Sequence, residues 1–401
     1  MYPEVSVVNY PELKNKILIE ETQKEEITTK KQNEFIKKTK ILNEIEIILP
    51  QNENILVTAS LIKSLELSIY KKKIHNISLN VNRYRNLNEL ETIINKTAAP
   101  GKIYIGPLAT KEMRKVHDHC YKGVLFFSFA AEKQLGKDCV YLINFFPEDD
   151  LKALFNYFPD NSKIALLYPE NSYGYYINAI IDAIAVYSNS LIINRVSYRE
   201  DLTNARDAIK ELSKYELRKF ELERQKKILR RKDDPISKKA LKKIEKFETV
   251  GQVDFTHLIL PDYSIRLLEI APLLPFYDVD PNIVQFVGTG VWDDEIFFDE
   301  PSLQGSIFPG IEKSERDFFI EDYQFIYQEK PIRTATIPYD LLGILFYIFE
   351  NKMNLEEVYD LLDNGQIIFE GIDGKFSFVN NIISRELDIL QISQGKAIRL
   401  N

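Results

Sequence analysis

Two polar turns follow neighbouring predicted strands and hold side chains suited to ligand binding. The first runs from Gly106 to Thr110, and the second runs from Ser128 to Glu132. They end the two strands of the stretch KIYIGPLATKEMRKVHDHCYKGVLFFSFAAE, a strand, helix and strand unit of about thirty residues. Because the two strands should be parallel neighbours, their carboxyl ends line the crevice where ligands bind in an open sheet.

Three other groups of residues could carry chemistry, and each has a simpler interpretation. His117-Asp118-His119 suggests a metal site, but residues two apart on a helix do not share a face, which favours an exposed helical patch. Gly288-Thr289-Gly290 has the glycines of a phosphate loop without its Lys, which favours a strand-end turn. Cys120 and Cys139 either pair or stay free, and buried free thiols are favoured because buried free Cys is common.

Composition narrows the functional class. No Ser-His-Asp set, Cys-His set or close carboxylate pair stands on neighbouring strand ends, so we predict no enzyme, no cofactor and no metal. The net charge of -8 argues against a nucleic-acid binder, and no apolar run approaches the length of a transmembrane helix. A chain of 401 residues, 45% of them hydrophobic, is typical of two globular lobes of normal size.

The elements that position the turns alternate between strand and helix. A polar leader is predicted for residues 1–40, and the folded body begins at Ile41. About five strand and helix repeats follow, which predicts a parallel sheet with helices on both faces. The pattern restarts after Pro147 and predicts a second α/β lobe. A helix at 338–352 is apolar nearly all round, so we expect it in the core against the first sheet or at a subunit interface.

A strongly basic segment at 214–247 interrupts the second lobe. It contains fourteen Lys or Arg and six Asp or Glu, a local net charge of +8; since the whole chain carries -8, the other residues carry -16. Asp233-Asp234-Pro235 splits the segment into two helical arms. The hairpin is either a solvated excursion or an arm that faces a partner or a membrane. The contact residues expected for such an arm are Lys227, Arg230, Arg231 and Lys239.

Motifs along most of the chain resemble a known family. The chain contains, in this order, IGPLAT, SFAAEK, PENSYG, FTHLILPDYSIRLLEIAPLLPFYDVDPNIVQFVGTGVWDDE, FEGIDGKFSF and RELDILQISQGKAIRLN. This order is similar to the type I periplasmic-binding-protein fold of the leucine/isoleucine/valine receptors. Within that group the sequence most resembles the penicillin-binding protein activators, and specifically the carboxyl-terminal domain of the outer-membrane lipoprotein that activates a class A peptidoglycan synthase.

The resemblance covers residues 41–401 and implies an α/β fold of two Rossmann-like lobes with parallel sheets, joined by a three-crossing hinge. We place the crossings near Phe146, Pro309 and Ile368. Lobe I then consists of 41–146 and 309–368, and lobe II of 147–308 and 369–401. The basic hairpin matches a charged insertion that this branch tolerates at the same place.

For lobe I, the resemblance also implies which residues face a ligand in the interlobe cleft. Thr110 matches the residue whose hydroxyl binds a ligand carboxylate. Ser128, Ala130 and Glu132 match the turn that supplies backbone groups and a hydroxyl. A carboxylate at Glu132 would repel the carboxylate of an amino acid, and an unpaired charge in a closed cleft is costly.

Lobe II has a matching set with one displacement. Tyr173 and Tyr263 match two aromatic residues of the receptors. The acidic residue that holds the ligand ammonium falls at about Gly290, with Asp293 close behind. Trp292 either walls the cleft or belongs to the core. An ordinary amino acid therefore fits poorly, and a small cationic or neutral polar ligand fits better.

The resemblance implies a non-enzymatic extracytoplasmic protein that binds a peptidoglycan synthase and raises its activity. The alternative is the solute-binding protein of an ABC importer, which would partner an ABC permease. A cleft with room and polar groups would favour the alternative. The location implied is periplasmic or outer-membrane-associated. Because no export signal follows Met1, either a leader is removed or misassigned, which we favour, or the protein stays inside the cell. A homodimer through lobe I helices stays open.

Overall fold

The computed structural model describes residues 6–8, 44–52, 54–74, 77–263, 265–312 and 316–400. The chain divides into two compact units, Met1–Phe146 with Lys313–Glu386, and Pro147–Glu312 with Leu387–Asn401. Most of the predicted leader and the predicted start at Ile41 lie outside the described residues. None of the helices that these residues form combines the length and the apolar character needed to cross a membrane.

The secondary structure alternates between strands and helices over most of the chain. The strands are β1 (Ser6–Val8), β2 (Glu44–Pro50), β3 (Ser78–Tyr84), β4 (Ile103–Ile105), β5 (Leu125–Ser128), β6 (Val140–Leu142), β7 (Lys163–Pro169), β8 (Leu191–Tyr198), β9 (His257–Ile259), β10 (Gln285–Val287), β11 (Ile307–Gly310), β12 (Ile368–Gly371), β13 (Gly374–Val379), β14 (Ile382–Arg385), β15 (Asp388–Ser393) and β16 (Lys396–Arg399). The helices are α1 (Ile55–Lys72), α2 (Leu87–Thr97), α3 (Thr110–Val116), α4 (Pro147–Tyr157), α5 (Ser172–Ala185), α6 (Ala205–Leu212), α7 (Tyr215–Arg230), α8 (Pro235–Ile244), α9 (Ile265–Ile270), α10 (Leu273–Phe276), α11 (Arg316–Tyr327), α12 (Thr336–Glu350) and α13 (Leu355–Asp363).

The first unit contains a sheet in the order β1-β12-β13-β14-β6-β5-β4-β2-β3. Strands β2 to β6 are parallel to their neighbours, as the alternating pattern predicted. Strand β2 shows why this sheet is buried on both faces: its run of Ile45, Ile47, Ile48 and Leu49 is at most 1% exposed. Helices cover a parallel sheet of this kind, so its strands need apolar side chains on both sides.

The sheet of the first unit continues beyond the point where the sequence analysis placed the last crossing. Strands β13 and β14 follow Ile368 but pair within this sheet, with β14 parallel to β6, and the first unit ends at Glu386. The reason is an aromatic cluster: Phe369 stacks on Phe376 at 5.5 Å between ring centroids, and Phe378 packs edge-on against both. The alternation of Phe376 and Phe378 along one strand is the signal that the sequence analysis did not use.

The second unit contains a sheet in the order β16-β15-β11-β10-β9-β7-β8. The five strands β7 to β11 are parallel to their neighbours, and β15 and β16 add an antiparallel edge. Apolar side chains from both sides of this sheet form two cores. Two mostly parallel sheets with flanking helices confirm the predicted α/β class of two lobes.

Helix α12 lies in the core of the first unit, which is one of the two positions that its apolar sequence predicted. Eleven of its residues are buried, and it packs against α1. One of the buried residues is Asp340, whose carboxylate accepts a hydrogen bond from the backbone N–H of Ile372 at 3.0 Å. Burial and the neighbouring Asp373 raise the pKa of Asp340 to about 7.

Asp340→Asn is expected to change the pH dependence of stability. A carboxyl group whose pKa rises from about 4 when unfolded to a higher value when folded stabilises the protein below about pH 4. That stability is lost as the pH rises through the folded pKa of about 7. The Asn variant cannot ionise, so its free energy of unfolding should exceed that of the wild type by a margin that grows between about pH 4 and pH 7. Urea unfolding followed by far-UV circular dichroism at several pH values measures the margin, and a constant margin would contradict the expectation.

Cys120 and Cys139 form a disulfide with 5.3 Å between their Cα atoms, so the favoured prediction of free thiols was wrong. Cys120 lies in a short 3-10 helix at His117–Lys122, and Cys139 directly precedes β6. The backbone N–H of Phe126 on β5 donates to the Cys139 carbonyl at 2.8 Å, which places Cys139 beside the strand that follows the Cys120 segment. The pairing of the strands therefore brings the two Cys close enough to bond, which their spacing in the sequence did not show.

Replacing both Cys120 and Cys139 with Ser is expected to lower the free energy of unfolding by about 3 kcal/mol, because the unfolded chain regains the freedom of the closed loop. The two Cys are 19 residues apart. Urea unfolding with and without dithiothreitol checks this: the reductant should shift the wild type to the stability of the double variant and leave the variant unchanged. An equal response of both proteins to the reductant would contradict the prediction.

Candidate functional site

The two polar turns of the first unit lie side by side, since β4 and β5 pair in parallel and the Gly106 N–H donates to the Phe127 carbonyl at 2.8 Å. Ser128 is fully buried, and its hydroxyl donates to the Pro107 carbonyl at 2.8 Å. The same hydroxyl accepts a hydrogen bond from the Ala130 N–H at 3.2 Å. The hydroxyl and amide that the resemblance assigned to a ligand are therefore used within the unit.

Glu132 is the third candidate in the second turn. Both of its carboxylate oxygens accept from one nitrogen of Arg114 at 2.8 Å, and the pair is largely exposed. The hydrogen bond to Glu132 raises the pKa of Arg114. Arg114 lies on α3, which begins at the half-buried Thr110. Glu132 therefore carries a compensated charge, which the sequence alone did not reveal because Arg114 is eighteen residues away.

A cavity of about 520 Å³ lies at the carboxyl ends of β2 and β3 in the first unit. Its lining is mainly polar and consists of Pro50, Gln51, Asn52, Tyr84, Arg85, Asn86, Leu87, Asn88, Lys111 and Glu112. The Glu112 Oε2 atom is buried and finds no hydrogen-bond partner among the described residues. A ligand with hydroxyl or amino donors would satisfy this oxygen, and the amide side chains can both donate and accept. The sequence alone does not reveal this cavity, because its lining comes from separate segments of the chain.

In the second unit, the two candidate aromatic residues meet. Tyr173 packs edge-on against Tyr263 at 6.1 Å between ring centroids, and its hydroxyl pairs with the Thr289 hydroxyl at 2.8 Å. Burial, with the nearby Asp150 carboxylate, raises the pKa of Tyr173. Tyr263 is 44% exposed. The outer ring is therefore open to solvent, while the polar group of the inner ring is already bonded.

A charged group behind Tyr263 was missed by the sequence analysis. Arg266 lies 5.6 Å from the Tyr263 ring centroid and donates two hydrogen bonds to the buried Asp262, at 3.0 and 3.2 Å. Tyr198 also donates its hydroxyl to Asp262. The signal was available, since Asp262 and Arg266 stand four residues apart just after β9. The Tyr263 N–H also donates to Asp262, so this network links the Tyr263 backbone to Tyr198 on β8.

The residues of the turn after β10 pack within the second unit. Trp292 is fully buried, and its indole N–H lies 3.1 Å from the carbonyls of Leu260 and Asp262, so of its two predicted roles the core is correct. A Cβ on Gly288 would come within 2.0 Å of the Trp292 ring, which explains a glycine there. The Gly290 N–H donates to Asp150 at 2.9 Å, and Asp293 is buried. These contacts agree with a strand-end turn.

The His117-Asp118-His119 segment lies in the first unit. Burial lowers the pKa of both His117 and His119, so the two rings are held in the neutral form. His119 is 7% exposed, which differs from the exposed patch that the sequence predicted. Within the described part of the chain, no group of three or more His, Cys, Asp or Glu residues could hold a metal ion.

Ser128→Ala is expected to lower the free energy of unfolding by about 1 to 3 kcal/mol, because it leaves buried backbone groups of Pro107 and Ala130 without partners. Ser188 offers a matched control. Its hydroxyl makes the same two kinds of bond, to the Ala185 carbonyl and from the Ser190 N–H, but it is only partly buried. Water can replace it, so Ser188→Ala should cost clearly less in urea unfolding. Equal costs would contradict the argument.

Comparison with solved structures identifies the fold of this chain. No protein-family model and no curated protein matches the chain. A solved structure from Rhodospirillum rubrum, described as a branched-chain amino acid ABC transporter, superposes with a TM-score of 0.65 at 12% identity and covers 90% of this chain and 100% of its own. The substrate-binding protein of an ABC transporter from Desulfitobacterium hafniense, in complex with Leu, gives a TM-score of 0.58 at 14% identity over 89% of this chain and 100% of its own. The chain has the type I periplasmic-binding-protein fold.

The same fold occurs in a second kind of protein. The LpoA C-domain from Haemophilus influenzae, described as a regulator of PBP1A, superposes with a TM-score of 0.59 at 11% identity and covers 90% of this chain and 100% of its own. The fold that the sequence resemblance implied is therefore confirmed, and the activator branch that it named is represented among the matching structures. A type I periplasmic-binding-protein fold serves both solute binding and regulation, so the function has to be argued from the residues.

Proposed function

We propose that this protein is a non-enzymatic, extracytoplasmic binding protein that acts on another protein, as a penicillin-binding protein activator does on a peptidoglycan synthase. The observation that carries the proposal is the bonding of Ser128. Its hydroxyl and the Ala130 N–H bond within the unit, and Glu132 is paired with Arg114. The Ser128 hydroxyl and the Ala130 N–H, two of the polar groups that would hold an amino acid, are therefore already used, which favours a protein partner over an amino acid.

Two further observations support this proposal. The Cys120 to Cys139 disulfide fits an oxidising compartment, where such bonds form and persist, and so agrees with a place outside the cytoplasm. The LpoA C-domain shares the fold over 90% of this chain, and it is a regulator of PBP1A. A regulator needs exposed surface for its partner and does not need a preserved amino-acid site.

The experiment is a pull-down and an activity assay with class A peptidoglycan synthases purified from the bacterium that makes this protein. The immobilised full chain should retain a synthase, and adding it to the synthase should raise the rate of glycan polymerisation or cross-linking. The chain after heat denaturation serves as the control for nonspecific retention. Failure of every class A synthase to bind or respond would remove the proposal.

The second candidate is a solute-binding protein of an ABC importer, and the polar cavity with the unpartnered Glu112 oxygen favours it. A solute at a thousand times its dissociation constant would stabilise the chain by about 4 kcal/mol. A thermal-shift screen of polyamines, sugars and amino acids therefore separates the two candidates. A clear shift that is lost in Glu112→Gln would support the solute receptor, and no shift across the panel would leave the regulator ahead.

A further inference from the structure

The basic segment at 214–247 forms two helices, α7 and α8, on the second unit. Helix α7 is fixed to the unit along one side. The Arg218 guanidinium donates to the Gly251 carbonyl at 2.8 Å and to the Val250 carbonyl at 3.2 Å, and Leu222 is 1% exposed. Lys226, one turn further on, is also buried and donates to the Phe247 carbonyl at 3.2 Å. These contacts decide which side of α7 faces solvent.

The solvent side of α7 carries a mixed stripe. It contains, at steps of three or four residues, Leu217, Phe220, Arg224 and Ile228, and Arg231 continues the same spacing directly after the helix. Such steps place side chains on one face of a helix, and this face is opposite to Arg218, Leu222 and Lys226. The exposed fractions of its three apolar side chains are 59%, 66% and 47%. Large apolar groups therefore protrude into water between cations.

Helix α8 repeats the arrangement. Ile236 is 81% exposed, and Lys239 and Lys243 follow it on the same face at steps of three and four residues. The helix contains no Asp or Glu. Together with α7 it lies in a segment of net charge +8, whereas the rest of the chain carries -16.

Neighbouring acids neutralise part of this charge. Arg224 pairs with Glu221 at 2.8 Å, and Arg230 approaches Glu245 at 3.9 Å. These pairs are exposed, so they contribute little and can be exchanged for an external anion. We call these two solvent-exposed sides together the hairpin face, and each of them offers cations and protruding apolar groups.

We propose that the hairpin face docks on an anionic lipid bilayer. The headgroup region of a membrane accepts both components of this face at once, because cations contact lipid phosphates while adjacent apolar side chains enter the acyl boundary. An acidic protein would match the charge. However, Arg224 separates the adjacent Leu217 and Phe220 from Ile228 on α7. On α8, Ile236 is followed by Lys239 and Lys243. The hairpin face therefore has no continuous apolar strip of the kind that a helix lays into a protein groove.

This assignment goes beyond the proposed function and holds for a regulator or a solute receptor alike. Of the basic residues expected to contact a partner, Arg231 and Lys239 lie on the hairpin face and have a role as contacts for lipid phosphate, whereas Lys227 and Arg230 lie beside it. It also explains why the net positive charge is concentrated in one element of an acidic chain. The rest of the chain, with its net negative charge, is repelled by an anionic bilayer, so the hairpin sets the orientation of the second unit on the membrane.

The test is co-sedimentation of the full chain with phosphatidylcholine vesicles that contain or lack phosphatidylglycerol. The chain should sediment with the anionic vesicles only, and added salt should release it. Two variants probe the two components: Lys239→Glu with Lys243→Glu for charge, and Leu217→Ser with Phe220→Ser for apolar insertion. Each should weaken partitioning on the order of tenfold.

Matched controls alter the same residue types on the second unit outside the hairpin. Lys152→Glu tests exposed charge, and Ile265→Ser with Phe276→Ser tests apolar side chains that are 64% and 72% exposed. These should leave partitioning unchanged. Circular dichroism and Trp292 fluorescence verify that every variant is folded. Equal sedimentation with both vesicle types, sedimentation with neither, or no effect of the hairpin variants would overturn the proposal.

Discussion

Replacing Asp373 with Ala is expected to lower the free energy of unfolding of the first unit by about 3 kcal/mol or more. Asp373 is fully buried in the tight turn between β12 and β13. It lies 3.0 Å from a guanidinium nitrogen of Arg333 and 3.6 Å from one of Arg316, and it accepts a hydrogen bond from Thr336. The Asp373 carboxylate stabilises the Arg333 and Arg316 guanidinium groups in a region of low dielectric constant. Its removal therefore raises the free energy of the folded state.

The protonation state supports this expectation. Burial by itself would raise the pKa of Asp373, but the guanidinium groups of Arg333 and Arg316 outweigh it and hold the pKa at about 2. Because this value lies below that of the unfolded chain, about 4, the contribution is present above about pH 4 and is lost as the pH falls through about 2. The difference between wild type and Asp373→Ala should therefore be full at pH 7 and shrink at acidic pH.

The measurement is urea unfolding at pH 7 with two probes. Far-UV circular dichroism reports both units, whereas Trp292, the only Trp of the chain, lies in the second unit and reports that unit by fluorescence. Asp388→Ala is the control, since Asp388 pairs with Arg399 at 2.9 Å on the surface and should cost less than about 1 kcal/mol. Equal effects of the two substitutions would show that burial does not govern the Asp373 cluster.

Gly106→Ala is expected to cost more than about 3 kcal/mol of stability. Two effects add at this position. Gly106 has a φ of +103°, a conformation that residues with a Cβ rarely adopt. A Cβ there would also lie 2.2 Å from the carbonyl oxygen of Ile48 on β2. That oxygen belongs to the central sheet, so neither partner can move without disturbing strand pairing.

Gly251 separates the two effects. It also has a positive φ, +67°, but an added Cβ would meet nothing within 4 Å. Gly251→Ala should therefore show the conformational cost alone, about 1 to 2 kcal/mol. Thermal or urea unfolding of both variants gives the steric contribution by difference. If Gly106→Ala lowers the free energy of unfolding no more than Gly251→Ala does, the clash with the Ile48 carbonyl oxygen is relieved by a backbone shift, and the steric part of the prediction is wrong.

Much of the fold was predictable because secondary structure depends on neighbouring residues. The predicted turn at Gly106 to Thr110 directly follows β4, and the predicted turn at Ser128 to Glu132 begins at the last residue of β5. The two helical arms were predictable from the break at Asp233-Asp234-Pro235 and from the charge pattern. Such signals lie within a few residues of the structure that they specify.

The candidate site was less predictable. The resemblance predicted that Ser128 and Glu132 face a ligand. In the structure Ser128 donates to Pro107 and Glu132 pairs with Arg114, and these bonds determine whether either side chain is available to a ligand. Trp292 had two open roles until the carbonyls of Leu260 and Asp262 placed it in the core. In each instance the partner lies at least eighteen residues away.

The sequence by itself therefore determined the order of strands and helices, the α/β class and the basic hairpin, since these follow from periodicity, turn residues and local charge. The tertiary structure alone decided the Cys120 to Cys139 bond, the gathering of Arg316 and Arg333 around Asp373, and the place of β13 and β14 in the first sheet. The physical reason is distance along the chain. Local patterns fix which element forms, whereas bonds between distant residues depend on how elements pair, and many pairings satisfy the same local pattern.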